Sequence, residues 1–271
     1  MDARELVREG RLADALTALQ NDVRAAPADA KQRTFLFQLL AVMGQWDRAL
    51  TQLNVAGEMD PSALPMMHTY RDAISSEVFR NQVMAGDRTP LLFGEPEQWL
   101  AMHLEAAKLS AQGQFEKAQE LRGKAFEDAP AVGGKIDDEP FEWLADADSR
   151  LGPVLEMVVN GRYYWVPFHR ISQLIFEPPT DLRDVVWKPA YITWANGGEI
   201  VGLVPCRYAG SAESADDQER LGRVTNWQDK GADEYHGLGQ RLLTTDTGDF
   251  PLMDVTQINF DIETPADEPE R

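Results

Sequence analysis

A spacing of 34 residues constrains this chain more than any other feature. Gly10, Leu12, Ala15, Leu16, Leu19 and Pro27 return as Gly44, Trp46, Ala49, Leu50, Leu53 and Pro61. A third set, Gly113, Phe115, Ala118 and Pro130, keeps the interval of 17 from Gly to Pro. Thirty-four residues is the period of the tetratricopeptide helix pair. The chemistry of each position fits that unit. Gly ends the first helix in a left-handed conformation, and the large apolar residue two places on covers the turn. Ala lets the second helix approach its neighbour closely, and Pro stops it. The second and third sets are 69 residues apart, close to two periods. That interval has room for one degenerate unit, with a long helix from about Ser62 to Met84 and a loop through Gly94-Glu95-Pro96. A generic helical bundle with chance matches is the competing reading. Recurrence of several residue types in phase favours the repeat.

Stacked helix pairs bury a continuous core and leave a concave face lined by the first helix of each pair. The expected lining is Arg4, Val7 and Arg8 in the first unit, and Lys31, Thr34, Phe35, Gln38 and Val42 in the second. In the last unit it is Leu100, His103, Leu104 and Ala107. A groove of this mixed apolar and basic kind suits an amphipathic helix. The same residues also suit plain packing against neighbouring helices or a second domain.

Past Pro130-Ala131-Val132-Gly133-Gly134 the pattern changes. Ala/Leu/Gln-rich helical spacing gives way to Val/Ile/Tyr/Trp runs cut by Asn-Gly, Gly-Gly and Pro-Pro. The spacing of Phe141, Leu144 and Ala145 predicts a short helix from Asp137, capped by Asp137 or Asp138, with Pro140 in its first turn. Val154–Val159 and Arg162–Pro167 flank Asn160-Gly161, a hairpin signal. A second hairpin joins Ala190–Trp194 to Ile200–Val204 through Asn196-Gly197-Gly198, and Ile171–Phe176 reads as a short strand or helical turn. Acidic residues at Glu213, Asp216, Asp217 and Glu219 suggest an exposed loop or helical turn. Stretches near 240–245 and 253–260 are further strand candidates. The expected architecture is therefore multidomain. A tetratricopeptide-like α-helical repeat domain covers 1–130, a mostly antiparallel, acidic α+β domain covers 137–262, and a flexible acidic tail covers 263–271.

Charge separates the two halves. The 271 residues carry 26 Lys and Arg against 45 Asp and Glu, a net charge of −19. Residues 1–130 contribute 14 basic and 19 acidic side chains, and the remainder 12 and 26. This balance argues against general affinity for nucleic acid, which needs clustered Lys and Arg, and against anionic membrane surfaces. The start Met1-Asp2-Ala3-Arg4-Glu5 has no basic flank or apolar stretch. No run approaches the roughly 18 apolar residues of a membrane span. With one cysteine and 43% hydrophobic residues, the expectation is a folded protein of a reducing, cytoplasmic compartment.

Signals for chemistry are weak. His68, His103, His169 and His236 lack zinc-ligand spacing, Cys206 has no nearby base, and no phosphate loop or nucleophile elbow is present. No cofactor is expected. The acidic run Asp137, Asp138, Glu139, Glu142, Asp146 and Asp148 leaves two readings: a solvated face with an internal Asp148–Arg150–Glu156 cluster, or a metal or acid–base pair at Asp146 and Asp148. Trp143, Trp165, Trp187, Trp194 and Tyr164 read as core or interface anchors.

One stretch carries a family resemblance. Phe141-Glu142-Trp143-Leu144-Ala145-Asp146-Ala147-Asp148-Ser149-Arg150-Leu151-Gly152-Pro153-Val154-Leu155-Glu156, behind a repeat module, resembles the ImpE/SciE/TagJ type of accessory protein from bacterial type VI secretion systems. Gly161-Arg162-Tyr163-Tyr164-Trp165-Val166-Pro167, Trp187-Lys188-Pro189-Ala190 and Val204-Pro205-Cys206-Arg207-Tyr208 fit the same pattern. The resemblance implies a cytoplasmic, non-catalytic component of a contractile injection machine. It further implies association with the small subunit of the contractile sheath, through a helix of that subunit. It also links the chain to the cycle in which a ring ATPase dismantles the contracted sheath. It brings no active-site set.

The reading that joins these signals is an adaptor that binds a partner helix in its repeat groove and acts in sheath assembly or recycling. The alternative is a metal-assisted hydrolase using Asp146, Asp148 and Glu156. A chaperone-like holder of unassembled subunits is a third reading that the residues do not separate from an adaptor.

Overall fold

The computed structural model describes residues 2–262, so the acidic tail expected over 263–271 lies outside the described residues. Helix α1 (Ala3–Arg8) pairs with α2 (Leu12–Ala25), and α3 (Ala30–Val42) with α4 (Trp46–Met59). A single long helix, α5 (Leu64–Met84), follows, and then the pair α6 (Gln98–Ala111) and α7 (Phe115–Asp128). Each pair turns at the repeat glycine. Gly10, Gly44 and Gly113 have φ of +76°, +67° and +74°. Their N–H groups donate to Val7, Ala41 and Ser110, and the next N–H in each case donates five residues back, to Leu6, Leu40 and Leu109 at 2.9 Å. These bonds satisfy carbonyls that the helix end would otherwise leave unpaired. Ala15, Ala49 and Ala118 are fully buried where the second helix of each pair meets its neighbours.

The degenerate unit keeps its first helix and its glycine turn. Gly86, at φ +78°, ends α5 in the same way. Pro90, Gly94 and Pro96 then prevent a second helix. In its place β1 (Leu91–Leu92) adds to the sheet of the second half, parallel to the strand at 162–167.

That half is built from β2 (Gly134–Ile136), β3 (Glu139–Phe141), β4 (Leu144–Asp146), β5 (Val154–Val159), β6 (Arg162–Pro167), β7 (Ile171–Phe176), β8 (Trp187–Trp194) and β9 (Glu199–Pro205). Helix α8 (Asp217–Arg220) precedes β10 (Thr225–Asp229), β11 (Tyr235–Gly239), β12 (Leu242–Thr245), β13 (Asp249–Pro251) and β14 (Gln257–Phe260). The main sheet runs β1-β6-β5-β9-β8-β7-β14-β2-β3, antiparallel except at β1. Smaller sheets are formed by β13-β12-β4 and by β10-β11. The Asn160-Gly161 turn, at φ +48° and +71°, joins β5 to β6, and the second expected hairpin is present as β8 and β9.

The helix expected from Asp137 is not formed. Asp137, at φ +50°, lies in the turn between β2 and β3, and Pro140 sits on the sheet edge, where a missing N–H costs little. The Asp137 carboxylate accepts from Thr256 N at 3.0 Å and Gln257 N at 2.9 Å. Those partners lie about 120 residues ahead, and they outweigh a locally helical spacing. The acidic group after Ser211 also does more than meet solvent. Asp217 accepts from Leu12 N at the start of α2, and Glu219 is buried between Ser214 and Asn226.

Strand β5 is buried along its whole length because both faces of the sheet are covered. Val154 and Val158 face the helices, while Leu155, Met157 and Val159 face a second core with Leu243, Leu252 and Val255. Trp187 and Leu203 enter the helical core directly. Glu156 therefore points at α5 from within an apolar wall.

Candidate partner-binding site

Lys31, Thr34, Phe35 and Gln38 follow one another at i, i+3, i+4 and i+7 on α3, which puts them on one helix face. They line a cleft of about 280 Å³ together with Arg4 of α1. The Arg4 guanidinium lies over the Phe35 ring, 4.4 Å from its centre. Asp60 and Ala63 close one side, and Thr180, Asp181 and Leu182 from the sheet half close another. The wall from the sheet half is held by Asp184, which accepts from Thr180 N and Asp181 N at 2.8 Å each. Nothing local in the sequence announces these wall residues beyond the Pro178-Pro179 break before them.

Val7, Arg8 and Val42, expected in the same groove, do not line it. Val7 and Val42 are buried, because the sheet half covers the ends of α1 and α3. Arg223 donates to the carbonyls of Val7 and Arg8 at 3.0 Å, and Arg207 donates to that of Val42 at 2.8 Å. In the last unit Leu100 and His103 are buried against Trp165 and its surroundings, whereas Leu104 and Ala107 line a separate cavity beside Val83. Burial and the Arg122 charge push the His103 ring down to about 3, so it is neutral at physiological pH.

The Asp-Ser-Arg-Leu-Gly-Pro stretch forms the joint between the halves. Asp148 pairs with Arg150 at 2.5 Å and accepts from Gly237 N at 2.8 Å. Burial opposes ionisation of Asp148, but Arg150 and these donors outweigh it and hold its pKa below the usual range. Asp146 accepts from Arg241 at 2.6 and 2.9 Å, yet full burial pushes its carboxyl up to about 6. Glu156 is gripped by Arg80 and also faces Arg241 at 3.4 Å. Its partner across the joint is thus Arg80 rather than the Arg150 suggested by proximity in sequence. Tyr163 donates to Glu156, and Trp165 Nε1 donates to the Tyr163 hydroxyl at 2.8 Å. Trp187 Nε1 donates to Glu77 at 3.1 Å. Gly152 and Pro153 turn the chain toward β5, with the Gly152 carbonyl accepting from Asp146 N and that of Pro153 from Phe168 N. Trp143 is the exception among these residues, being exposed.

This arrangement bears on the hydrolase reading. Asp148 is taken by Arg150, and Asp146 and Glu156 both face Arg241, so where two of the three carboxylates approach one another a guanidinium already stands between them. Among the described residues no three His, Cys, Asp or Glu side chains are disposed to hold an ion together. A Ser110–Glu234–His236 cluster is also present. There His236 Nε2 faces both Glu234, at 2.6 Å, and Ser110 Oγ, at 3.3 Å. A proton relay needs the two ring nitrogens to serve different partners. Here one nitrogen serves both, and Ser110 is buried.

Fold and site together define a helical-repeat protein fused to a mostly antiparallel sheet and cross-linked to it by buried ion pairs. The profile of the ImpE protein family matches residues 138–259. The chain is 54% identical over 261 residues to the Type VI secretion system accessory component TagJ of Pseudomonas aeruginosa, covering 96% of this chain and 92% of that one. It also superposes on the X-ray structure of a Vibrio parahaemolyticus protein with a TM-score of 0.86 and 26% identity, covering 95% and 97% of the two chains. The chain belongs to the ImpE/TagJ family of type VI secretion accessory proteins.

Proposed function

We propose that this chain is a non-catalytic adaptor of a type VI secretion system that binds a helix of the small contractile-sheath subunit and acts in sheath assembly or recycling. The observation that carries the reading is the cleft on α3. Phe35 offers an aromatic floor, Arg4 and Lys31 offer positive charge at its rim, and Thr34 and Gln38 offer neutral polar contacts. Its volume of about 280 Å³ accommodates a few side chains of an amphipathic helix, while the helix body stays on the surface.

The experiment is a titration of the full chain with the small subunit's helix, alongside co-purification with assembled sheath. Binding in the micromolar range, weakened at least tenfold by Arg4→Glu with Lys31→Glu, is the expected result. No binding at high micromolar concentration, or equal binding by that double variant, would sink the proposal.

A further inference from the structure

Helix α3 faces two clefts. Arg33, Leu36 and Leu40 lie about half a turn from Lys31, Thr34 and Gln38, so they point the opposite way, toward α2 and α4. On that side is a shallow cavity of about 390 Å³. Its floor includes Val23, Leu36 and Leu40, and three arginines, Arg24, Arg33 and Arg48, stand around it. No acidic side chain is among its lining residues.

These arginines differ from those at the joint. Arg80, Arg150 and Arg241 are neutralised by carboxylates. Arg24 donates instead to Asn21 Oδ1 at 2.8 Å, and Arg48 to Gln45 Oε1. Arg33 donates to the Pro27 carbonyl and to Gln52 Oε1, both at 3.0 Å. Neutral acceptors orient a guanidinium without cancelling its charge. Among the described residues no carboxylate pairs with any of the three. Three uncompensated positive charges therefore surround one apolar floor, in a chain whose net charge is −19.

We infer that this cavity binds an acidic segment of a partner protein, with an aliphatic side chain on the Val23–Leu36–Leu40 floor and flanking carboxylates on the arginine rim. A long polyanion fits less well. Nucleic acid or an anionic bilayer would extend beyond the roughly 8 Å over which charge is felt in physiological salt, and would meet the acidic remainder of the chain. A short peptide segment meets only the arginines. The site is on the opposite face of α3 from the Arg4–Lys31 cleft, so the two can be occupied independently.

The test is fluorescence anisotropy of the full chain with a labelled peptide Glu-Leu-Glu-Glu-Leu-Glu. Its Gln-for-Glu counterpart and a single-stranded oligonucleotide of equal charge serve as comparisons. The acidic peptide is expected to bind below about 1 mM and at least tenfold tighter than the other two probes. Arg24→Gln with Arg33→Gln and Arg48→Gln should weaken binding about tenfold or more, while Arg4→Gln with Lys31→Gln leaves it unchanged. If the triple variant melts early, Arg24→Gln with Arg48→Gln keeps Arg33 on the Pro27 carbonyl and should still weaken binding about fivefold. Absence of binding, equal binding of the neutral peptide or the oligonucleotide, or undiminished binding by the folded arginine variants would each overturn the inference.

Discussion

Arg80 of α5 holds both carboxylate oxygens of Glu156 on β5, with Nε at 2.7 Å and Nη2 at 2.6 Å. The two residues are 76 positions apart, and neither side chain is more than 3% exposed. Arg80 also donates to the Arg207 carbonyl at 2.9 Å, so one guanidinium ties the repeat to the Glu156 side chain on β5 and to the backbone just after β9. Arg223 donates to carbonyls at the end of α1 and Arg207 to the Val42 carbonyl at the end of α3, so three arginines cross-link the halves, two of them on the helices that carry the α3 cleft.

Removing one partner of that pair leaves a buried charge unmatched. Arg80→Met or Glu156→Leu is expected to cost about 3–5 kcal/mol of stability. The double variant should recover much of that loss, because a buried ion pair adds little over apolar packing of the same volume. Urea unfolding of the two single variants and the double variant closes the cycle. Additive losses would contradict direct coupling.

What could be read from the sequence was local. The repeat was legible because Gly10, Gly44 and Gly113 each sit at a helix end, where a left-handed turn is required. The Asn160-Gly161 hairpin was legible for the same reason. Contacts between distant residues were not. Asp137 looked like a helix cap because Thr256 and Gln257, its true donors, are far along the chain. The Asp148–Arg150 pair was readable because its partners are two residues apart, whereas Asp146 and Glu156 take arginines 95 and 76 positions away, Arg241 and Arg80. Half of the α3 cleft was readable from helical spacing. Its other wall comes from a loop more than a hundred residues later, and no periodicity links the two.

His103 gives the protein a specific acid sensitivity. Its ring, held down to about 3 by burial and by Arg122, stays neutral in the fold but protonates near 6.5 when unfolded. The unfolded chain therefore takes up more protons between those values. The contribution is fully present above about pH 6.5 and is lost as pH falls toward 3, at up to about 1.4 kcal/mol per pH unit. Asp146, raised to about 6, acts in the opposite sense below pH 6, because its folded form binds the extra proton. Comparing wild type with His103→Leu cancels the Asp146 contribution. The difference in unfolding free energy should shift steadily toward the variant from pH 6.5 down to 4.5. A constant difference would show that the imidazole titrates alike in both states.

Gly152 is held by two independent constraints. Its φ is +56°, and a Cβ there would lie 2.1 Å from Phe126 Cζ. Gly152→Ala is expected to destabilise the chain by roughly 2 kcal/mol or more, through overlap and backbone strain together. Phe126→Leu in the same chain should restore only part of the loss, since it makes room but leaves φ unchanged. Thermal unfolding of the three variants separates the two causes. Full recovery in the double variant would mean that the backbone carries no strain.

Lys188 anchors the last turn before β14. Its ammonium donates to the carbonyls of Leu252, Met253 and Val255 at 3.0, 2.9 and 2.7 Å. The residue is 2% exposed, and burial lowers its pKa, although the three acceptors use all three of its protons. Lys188→Met preserves the stem but leaves three carbonyls without their donor. A loss of about 2–4 kcal/mol is expected, since a buried unsatisfied polar group costs about 1–3 kcal/mol and water can reach part of this turn. The effect should also be local. Amide exchange ought to speed up across residues 252–256 and into β14 well before the helical repeat responds, because this side chain holds three carbonyls of that turn and every other hydrogen bond to the turn also comes from the sheet half. Uniform loss of protection through α1–α7 would instead place Lys188 in the global folding unit.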